Sequence, residues 1–162
     1  MDVCFTGTRK GMTGYQMQQA AELLQQAEPN RVCHGCAIGA DRQFHYLAPV
    51  GIRDLFPCNA EQLAWARQNV TSGDVIHPVE APLDRNRHMV DRSVLIIVAP
   101  QTLVEEQRSG TWATVRYARR ALRERWHIRI AILHPHHLRT RLELSKAERA
   151  VTPSASAAQK GQ

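Results

Sequence analysis

Three short glycine-containing segments carry residue types that could bind a phosphate or a sugar. The most informative is 34–41, His-Gly-Cys-Ala-Ile-Gly-Ala-Asp, which follows a short apolar run and precedes a helix-like pattern. Segments 7–11 and 108–111 also follow apolar runs. Glycine lets backbone N–H groups approach an anion closely, and a helix N-terminus adds partial positive charge. Together, the three turns predict one pocket for a phosphate or a sugar.

A fourth segment, Asp-Arg-Asn-Arg-His-Met-Val at 84–90, precedes the most apolar run of the chain. Arg85 can hold a phosphate through two hydrogen bonds, and Asn86 can bond a base edge or a sugar hydroxyl. In the alternative interpretation, Met89 and Val90 are core residues and the arginines are solvated. We predict a functional role for Arg85 and Asn86.

The elements that must position these residues alternate between strands and helices. Thr13 and Asn59 begin Thr/Asn-x-x-Gln capping patterns, and Asp84 is a further candidate cap. The continuous apolar run 94–98 is typical of a central strand buried on both faces. Strands are predicted at 2–6, 31–34, 52–56, 75–79, 94–98 and 128–133, the last of the sheet, with helices at 14–28, 40–48, 60–70, 83–92 and 111–126.

This order predicts a three-layer α/β fold, a Rossmann-like open and mostly parallel sheet with helices on both faces. Ligands of such sheets bind beyond the carboxyl ends of the strands, where strand order reverses. The glycine turns fall at those ends. The chain has 162 residues, which suits one domain over 1–149, followed by a small polar tail at 150–162 that is expected to be disordered.

The net charge of +6 is unevenly spread. Residues 1–115 carry ten Lys/Arg against twelve Asp/Glu, whereas residues 116–149 carry ten Lys/Arg against three Glu. Such asymmetry is typical either of a nucleic-acid contact or of a solvated surface helix. Four arginines share one face of the predicted fifth helix: Arg116, Arg119, Arg120 and Arg123.

The apolar runs, the first residues and the cysteines indicate the compartment of the protein and whether it binds a metal. No apolar run is long enough for a membrane span, and the first residues do not resemble a signal peptide, so a cytoplasmic protein with reduced cysteines and no membrane partner is expected. Cys33 and Cys36 form a Cys-x-x-Cys pattern without a second pair. We therefore expect neither a metal nor a cofactor.

The four segments occur in an order that resembles the SLOG superfamily, which includes the LOG phosphoribohydrolases, the DNA-processing protein DprA and the YspA-like proteins. Gly-Thr-Arg at 7–9, Gly-Cys-Ala-Ile-Gly-Ala-Asp at 35–41, Arg-Asn-x-x-Met at 85–89 and Gly-Thr at 110–111 are most similar to the YspA-type branch. The resemblance covers roughly residues 2–133. It implies a Rossmann-like domain that binds a nucleotide or a nucleotide derivative.

The sequence departs from the pattern of the LOG-type hydrolases at one position that bears on activity. LOG-type hydrolases carry a glutamate that cleaves the N-glycosidic bond, and Thr114 stands at the matching position here. Threonine is not an acid or a base near neutral pH. Asp41 and Arg85 remain weak catalytic candidates, although Asp41 also suits helix capping. Further carboxylates are available at Asp84, Glu105 and Glu106.

The resulting hypothesis is a nucleotide-binding module, with a homodimer possible. One alternative is a nucleoside monophosphate N-glycosidic hydrolase, and a further one is DprA-like nucleic-acid binding through the arginine-rich region. The predicted ligand-binding residues are Gly7, Thr8, Arg9, Gly35, Gly39, Ala40, Asp41, Arg85, Asn86, Ser109, Gly110 and Thr111.

Overall fold

The computed structural model describes residues 1–124 and 127–144. Within this part of the chain, seven strands form one sheet in the order β4-β3-β2-β1-β5-β6-β7. The first six run parallel, and β7 is antiparallel to β6. The strands are β1 (Asp2–Gly7), β2 (Arg31–His34), β3 (Arg53–Leu55), β4 (Val75–Ile76), β5 (Leu95–Ala99), β6 (Arg129–Leu133) and β7 (Thr140–Glu143).

Five helices connect the parallel strands. Two begin at the predicted caps: the Thr13 hydroxyl accepts from the Gln16 N–H as half of a capping box, and the Asn59 side chain accepts from the Gln62 N–H. These caps satisfy amides that have no partner inside the helix. The helices are α1 (Gly14–Ala27), α2 (Ala40–Leu47), α3 (Ala60–Asn69), α4 (Pro82–Asp91) and α5 (Gly110–Glu124).

Strand β5 lies inside the sheet, between β1 and β6, and all five of its residues are buried. Ile97 belongs to a core cluster with Leu24 of α1 and Phe44 of α2. On the other face, Ile96 belongs to a cluster with Met89 of α4 and with α5 residues. Helices therefore cover both faces, which explains the continuous apolar run and confirms the predicted fold class.

The order of strands creates a reversal between β1 and β5. From β1 the chain moves outward through β2, β3 and β4, and then returns to place β5 on the opposite side of β1. The carboxyl ends of β1 and β5 thus diverge into helices on opposite faces, α1 and α5. A crevice opens at such a point in open α/β sheets.

Two sequence-based expectations need correction, and two others are not tested. The strand at 128–133 is not the last, because β7 follows it at the sheet edge. Asp84 does not cap α4, which begins with Pro82 and has no side-chain cap; its carboxylate instead accepts from Arg87 at 3.0 Å. The predicted end of α5 at Trp126 and the tail at 150–162 lie outside the described residues.

The sequence pattern does not predict strand β7, because a distant side chain hydrogen-bonds the segment that leads to it. The Gln19 amide on α1 donates to the His134 and His137 carbonyls, and its oxygen accepts from the Thr140 hydroxyl. These bonds satisfy the backbone of a turn whose own residues carry no clear strand pattern. Local periodicity does not reveal such a contact.

A buried histidine pair connects β2 to α2. The Cys36 N–H donates to His34 Nδ1 at 3.2 Å, so His34 Nε2 carries the hydrogen and faces His45 Nδ1 at 3.1 Å. Burial lowers the pKa of His34 well below its usual value, and the charges of His45, Arg53 and Arg85 lower it further. Burial and Arg53 also lower the pKa of His45.

We predict that this pair makes the fold acid-sensitive. As pH falls below about 6.5, the unfolded chain protonates these histidines while the folded chain keeps them neutral, so unfolding becomes more favourable. Each such group contributes at most about 1.4 kcal/mol per pH unit. In urea titrations at pH 7.5 and 5.5, the wild type should lose more stability than His34→Gln. Exposed His136→Gln serves as the control, and equal losses in wild type and His34→Gln would contradict this reading.

Candidate functional site

A cleft of about 490 Å³ opens at the reversal point between β1 and β5. All three glycine-containing turns and the start of α4 contribute to its walls, so segments far apart in sequence meet there. The lining residues are Thr6, Gly7, Thr8, Arg9, Ala37, Asp41, Cys58, Gln62, Pro82, Leu83, Arg85, Asn86, Gln101, Glu106, Arg108, Ser109, Gly110, Thr111 and Trp112.

Most of the predicted ligand-binding residues lie in this wall. Nine of the twelve do so: Gly7, Thr8, Arg9, Asp41, Arg85, Asn86, Ser109, Gly110 and Thr111. The other three, Gly35, Gly39 and Ala40, lie behind it. Their roles are in packing: the Ala40 N–H donates to the Thr8 carbonyl at 3.0 Å. A Cβ on Gly39, whose φ is +93°, would lie 2.2 Å from the Arg9 carbonyl oxygen.

Arg85 forms the floor of the cleft and is 8% exposed. Its Nη1 donates to the carbonyl of Gly35 at 2.6 Å and to that of Phe56 at 2.9 Å. The guanidinium lies so close to the backbone that a Cβ on Gly35 would overlap Nη1. Its buried Nε has no hydrogen-bond partner among the described residues. Arg85 therefore ties β2 and β3 to α4 and keeps one donor unused.

This burial changes how Arg85 can be tested. The alternative that its side chain is simply solvated is wrong, because the carbonyls of Gly35 and Phe56 depend on it. Removing a buried charged donor leaves its acceptors unpaired and costs on the order of 3 kcal/mol. Truncation of Arg85 would destabilise the fold as well as alter the cleft, so loss of binding in that variant would not identify a ligand contact.

Asp41 lies in the first turn of α2 and is buried beside the floor. Its Oδ2 accepts from the N–H groups of Gly35 at 3.0 Å and Ala37 at 3.2 Å. Burial raises the pKa of Asp41 to about 6, although the charge of Arg85 and the backbone amides of Ala37, Gly35 and Gly7 oppose that rise. The carboxylate thus holds the second turn in shape. It does not cap α2, which has no side-chain cap, so the capping interpretation is wrong.

The first turn of α5 faces the cleft. The Ser109 hydroxyl accepts from the Trp112 N–H at 3.3 Å and caps the helix. Gly110 and Thr111 follow it as the first helical residues, where amides have no acceptor within the helix. Nothing lies within 4 Å of a Cβ placed on Gly110, so its backbone is open to a ligand. A 15-residue helix gives this end a partial positive charge.

Two exposed arginines also line the cleft. Arg9 follows β1 and Arg108 precedes α5, and neither forms an ion pair with any residue in the described part of the chain. Glu106 also lines the cleft and accepts from the Thr102 hydroxyl at 3.4 Å. With Arg85, three guanidinium groups line the cleft against two carboxylates, so its lining carries excess positive charge.

Several lining residues were absent from the sequence-based prediction. Gln62 and Cys58 come from the start of α3, and Leu83 and Trp112 supply apolar surface. Arg108 sits within one of the predicted turns and was not proposed as a ligand contact, although its position before Ser109 would have supported that proposal. Cys58, Gln62 and Leu83 carry no local signal, because only the packing of α3 and α4 brings them to the cleft, whereas Trp112 directly follows the predicted turn at Gly110 and Thr111.

Of the four carboxylates considered for catalysis, two line the cleft and two do not. Asp41 and Glu106 line the cleft, whereas Asp84 lines a different surface and Glu105 pairs with Arg116 and Arg119. Thr114, at the position of the LOG glutamate, is buried and donates to the Gly110 carbonyl at 3.1 Å. Thr114 therefore does not line the cleft.

Three of the four cysteines are buried, and Cys58 lines the cleft. All four are free thiols, and burial raises the pKa of Cys36 to about 12, which leaves little thiolate at neutral pH. Among residues 1–124 and 127–144, no group of three or more histidine, cysteine, aspartate or glutamate side chains is arranged to hold a metal ion. No helix in those same ranges has the length and apolar character that a membrane span requires.

No family model and no curated protein matches the chain. A solved structure with a similar fold is DNA processing protein A (DprA) from Helicobacter pylori, with a TM-score of 0.60 and 18% sequence identity. The match covers 93% of this chain and 71% of that one. The two proteins share an α/β Rossmann-like fold. That protein is described as having a unique single-stranded DNA binding mode. The YspA-type branch stays a prediction.

We predict that the buried carboxyl group of Asp41 lowers the free energy of unfolding more strongly as pH rises. Because its pKa in the fold is raised to about 6, stability is favoured at low pH and is lost as pH rises through 6. Asp41→Asn should therefore gain stability relative to the wild type between pH 5 and pH 8, by about 1.4 kcal/mol, because about one pH unit of that interval lies below the raised pKa. Urea unfolding measures this difference. Exposed Asp84→Asn is the matched control, and a pH-independent difference for Asp41→Asn would contradict the buried carboxylate.

Proposed function

We propose that the chain binds a nucleotide or a nucleotide-derived ligand in the cleft. The observation that carries this proposal is the meeting of two unpaired guanidinium groups, Arg9 and Arg108, with the open first turn of α5. Helix N-terminal amides and arginine are the groups that proteins use most readily for phosphate. The proposed phosphate position lies between them, above Gly110.

The rest of the cleft suits the remainder of a nucleotide. Asn86 can exchange hydrogen bonds with a base edge or a sugar hydroxyl. The Gln62 oxygen already accepts from the Cys58 N–H, so Gln62 can offer its NH2 group, and the unused Nε of Arg85 adds a buried donor. Leu83, which is 57% exposed, offers an apolar surface for a base. A cleft of about 490 Å³ falls within the range typical of small-molecule sites.

The site favours recognition over turnover. Thr114 replaces the LOG glutamate and is turned into its own helix, and Asp41 Oδ2 already accepts two backbone amides. Hydrolysis of an N-glycosidic bond would need a carboxylate that reaches the ligand, for which Glu106 is the more accessible group. Chromatography of nucleoside 5′-monophosphates incubated with the protein separates the two functions, since release of free base would demonstrate hydrolysis.

We predict that Arg108→Ala weakens the binding of adenosine 5′-monophosphate about tenfold, and that Arg9→Ala has a similar effect. Both side chains are exposed, so the variants should keep the wild-type melting temperature. Isothermal titration calorimetry measures the change, and Arg123→Ala, on an exposed turn of α5 away from the cleft, is the control. Unchanged affinity in both variants, or no binding by the wild type, would refute the proposed site.

A second candidate function is binding of single-stranded nucleic acid, which the fold shared with the H. pylori protein favours. The predicted arginine face on α5 is only partly available for it. Arg116 and Arg119 pair with Glu105, and Arg119 also pairs with Glu143 at 2.8 Å. Fluorescence anisotropy with a labelled oligonucleotide tests this candidate, because phosphate-driven affinity must fall steeply as salt is raised.

A further inference from the structure

A second depression adjoins the cleft between α4 and α5. It has a volume of about 190 Å³ and shares two lining residues with the cleft, Leu83 and Asn86. The two depressions therefore lie side by side, on either side of Leu83 and Asn86. The other lining residues of the second depression are Arg87, Ala113, Arg116, Tyr117 and Arg120. We call this depression the α4–α5 groove.

The α4–α5 groove is basic and contains no carboxylate in its lining. Its arginines are also held in place by an aromatic ring. The guanidinium carbons of Arg87 and Arg120 lie 5.9 and 5.8 Å from the centroid of the Tyr117 ring. The Tyr117 hydroxyl in turn donates to the Asp91 carboxylate at 3.0 Å. Cation–π contacts thus present two positive groups around one fixed ring.

The acidic neighbours of these arginines leave room for an anion. Arg87 pairs with Asp84 at 3.0 Å with both side chains exposed, and Arg116 pairs with Glu105 at 3.2 Å. Exposed pairs of this kind contribute little free energy, so a phosphate can compete for them. Arg120 forms no ion pair with any residue that the structure describes. The groove is therefore complementary to a phosphate.

We infer that the ligand of this protein is a dinucleotide or a longer single strand, with one nucleotide in the cleft and the next phosphate in the α4–α5 groove beside Arg87 and Arg120. This inference rests on the proposed function, because it takes the first nucleotide to occupy the cleft. Asn86, half-buried at the junction, contacts the ligand where it passes from one depression to the other. The arginine face of α5 then contributes through Arg120, while Arg119 points toward β7.

The test compares 5′-phosphorylated deoxyadenosine oligomers of one, two and four nucleotides by calorimetry. The wild type should bind the dinucleotide about tenfold more tightly than the mononucleotide. The dinucleotide should also show a steeper salt dependence, by about 0.7 in the log–log slope for the added phosphate contact. Arg120→Ala should lose this gain and keep the wild-type affinity for the mononucleotide. Arg123→Ala, one turn away on the same helix, should keep both.

The outcomes separate the two proposals. Equal affinity for one, two and four nucleotides overturns the extended ligand and leaves the mononucleotide site standing. A length-dependent gain that survives Arg120→Ala overturns the groove as its cause. Failure to bind any of the three oligomers overturns both proposals. Because Arg120 is exposed, an unchanged thermal melting curve shows that the variant is folded.

Discussion

The contact on which this cleft depends is the one between the Arg85 guanidinium and the backbone at Gly35. Nη1 bonds the carbonyls that follow β2 and β3, and a side chain at position 35 would occupy the space that the guanidinium fills. One arginine from α4 thereby fixes the ends of two strands. The charge of Arg85 also offsets part of the cost of burying the Asp41 carboxylate. Asp41 in turn holds the second turn through Gly35 and Ala37.

The fold places Arg85 and its contacts at the reversal of strand order, where a ligand can bind. Because strand order reverses at β1, the turn after β1 and the start of α5 diverge and leave a crevice between them. The polar groups of the second turn are mostly hydrogen-bonded within the fold. Arg9, Arg108 and the first amides of α5 remain available to a ligand. Gly35 and Gly39 serve packing, and the groups suited to an anion belong to the turn after β1 and to the start of α5. This division explains why nine predicted residues line the cleft and three lie behind it.

Much of this arrangement could be read from the sequence, for identifiable reasons. The apolar run at 94–98 has no polar alternation, which predicted a strand buried on both faces, and the capping patterns at Thr13 and Asn59 fixed two helix starts. The role of Arg85 could not be predicted, since a solvated arginine and a buried one look alike in a helical segment. Strand β7 depends on Gln19, more than a hundred residues away. Long-range hydrogen bonds of this kind leave no local pattern.

The proposed phosphate position is the space between Arg9, Arg108 and the first turn of α5. A crystal structure of the protein grown with a nucleoside 5′-monophosphate tests this position most directly. We expect phosphate density within hydrogen-bond distance of the Gly110 and Thr111 amides, with at least one of the two arginines turned toward it. An empty cleft at saturating nucleotide, or density for the nucleotide elsewhere on the molecule, would contradict it.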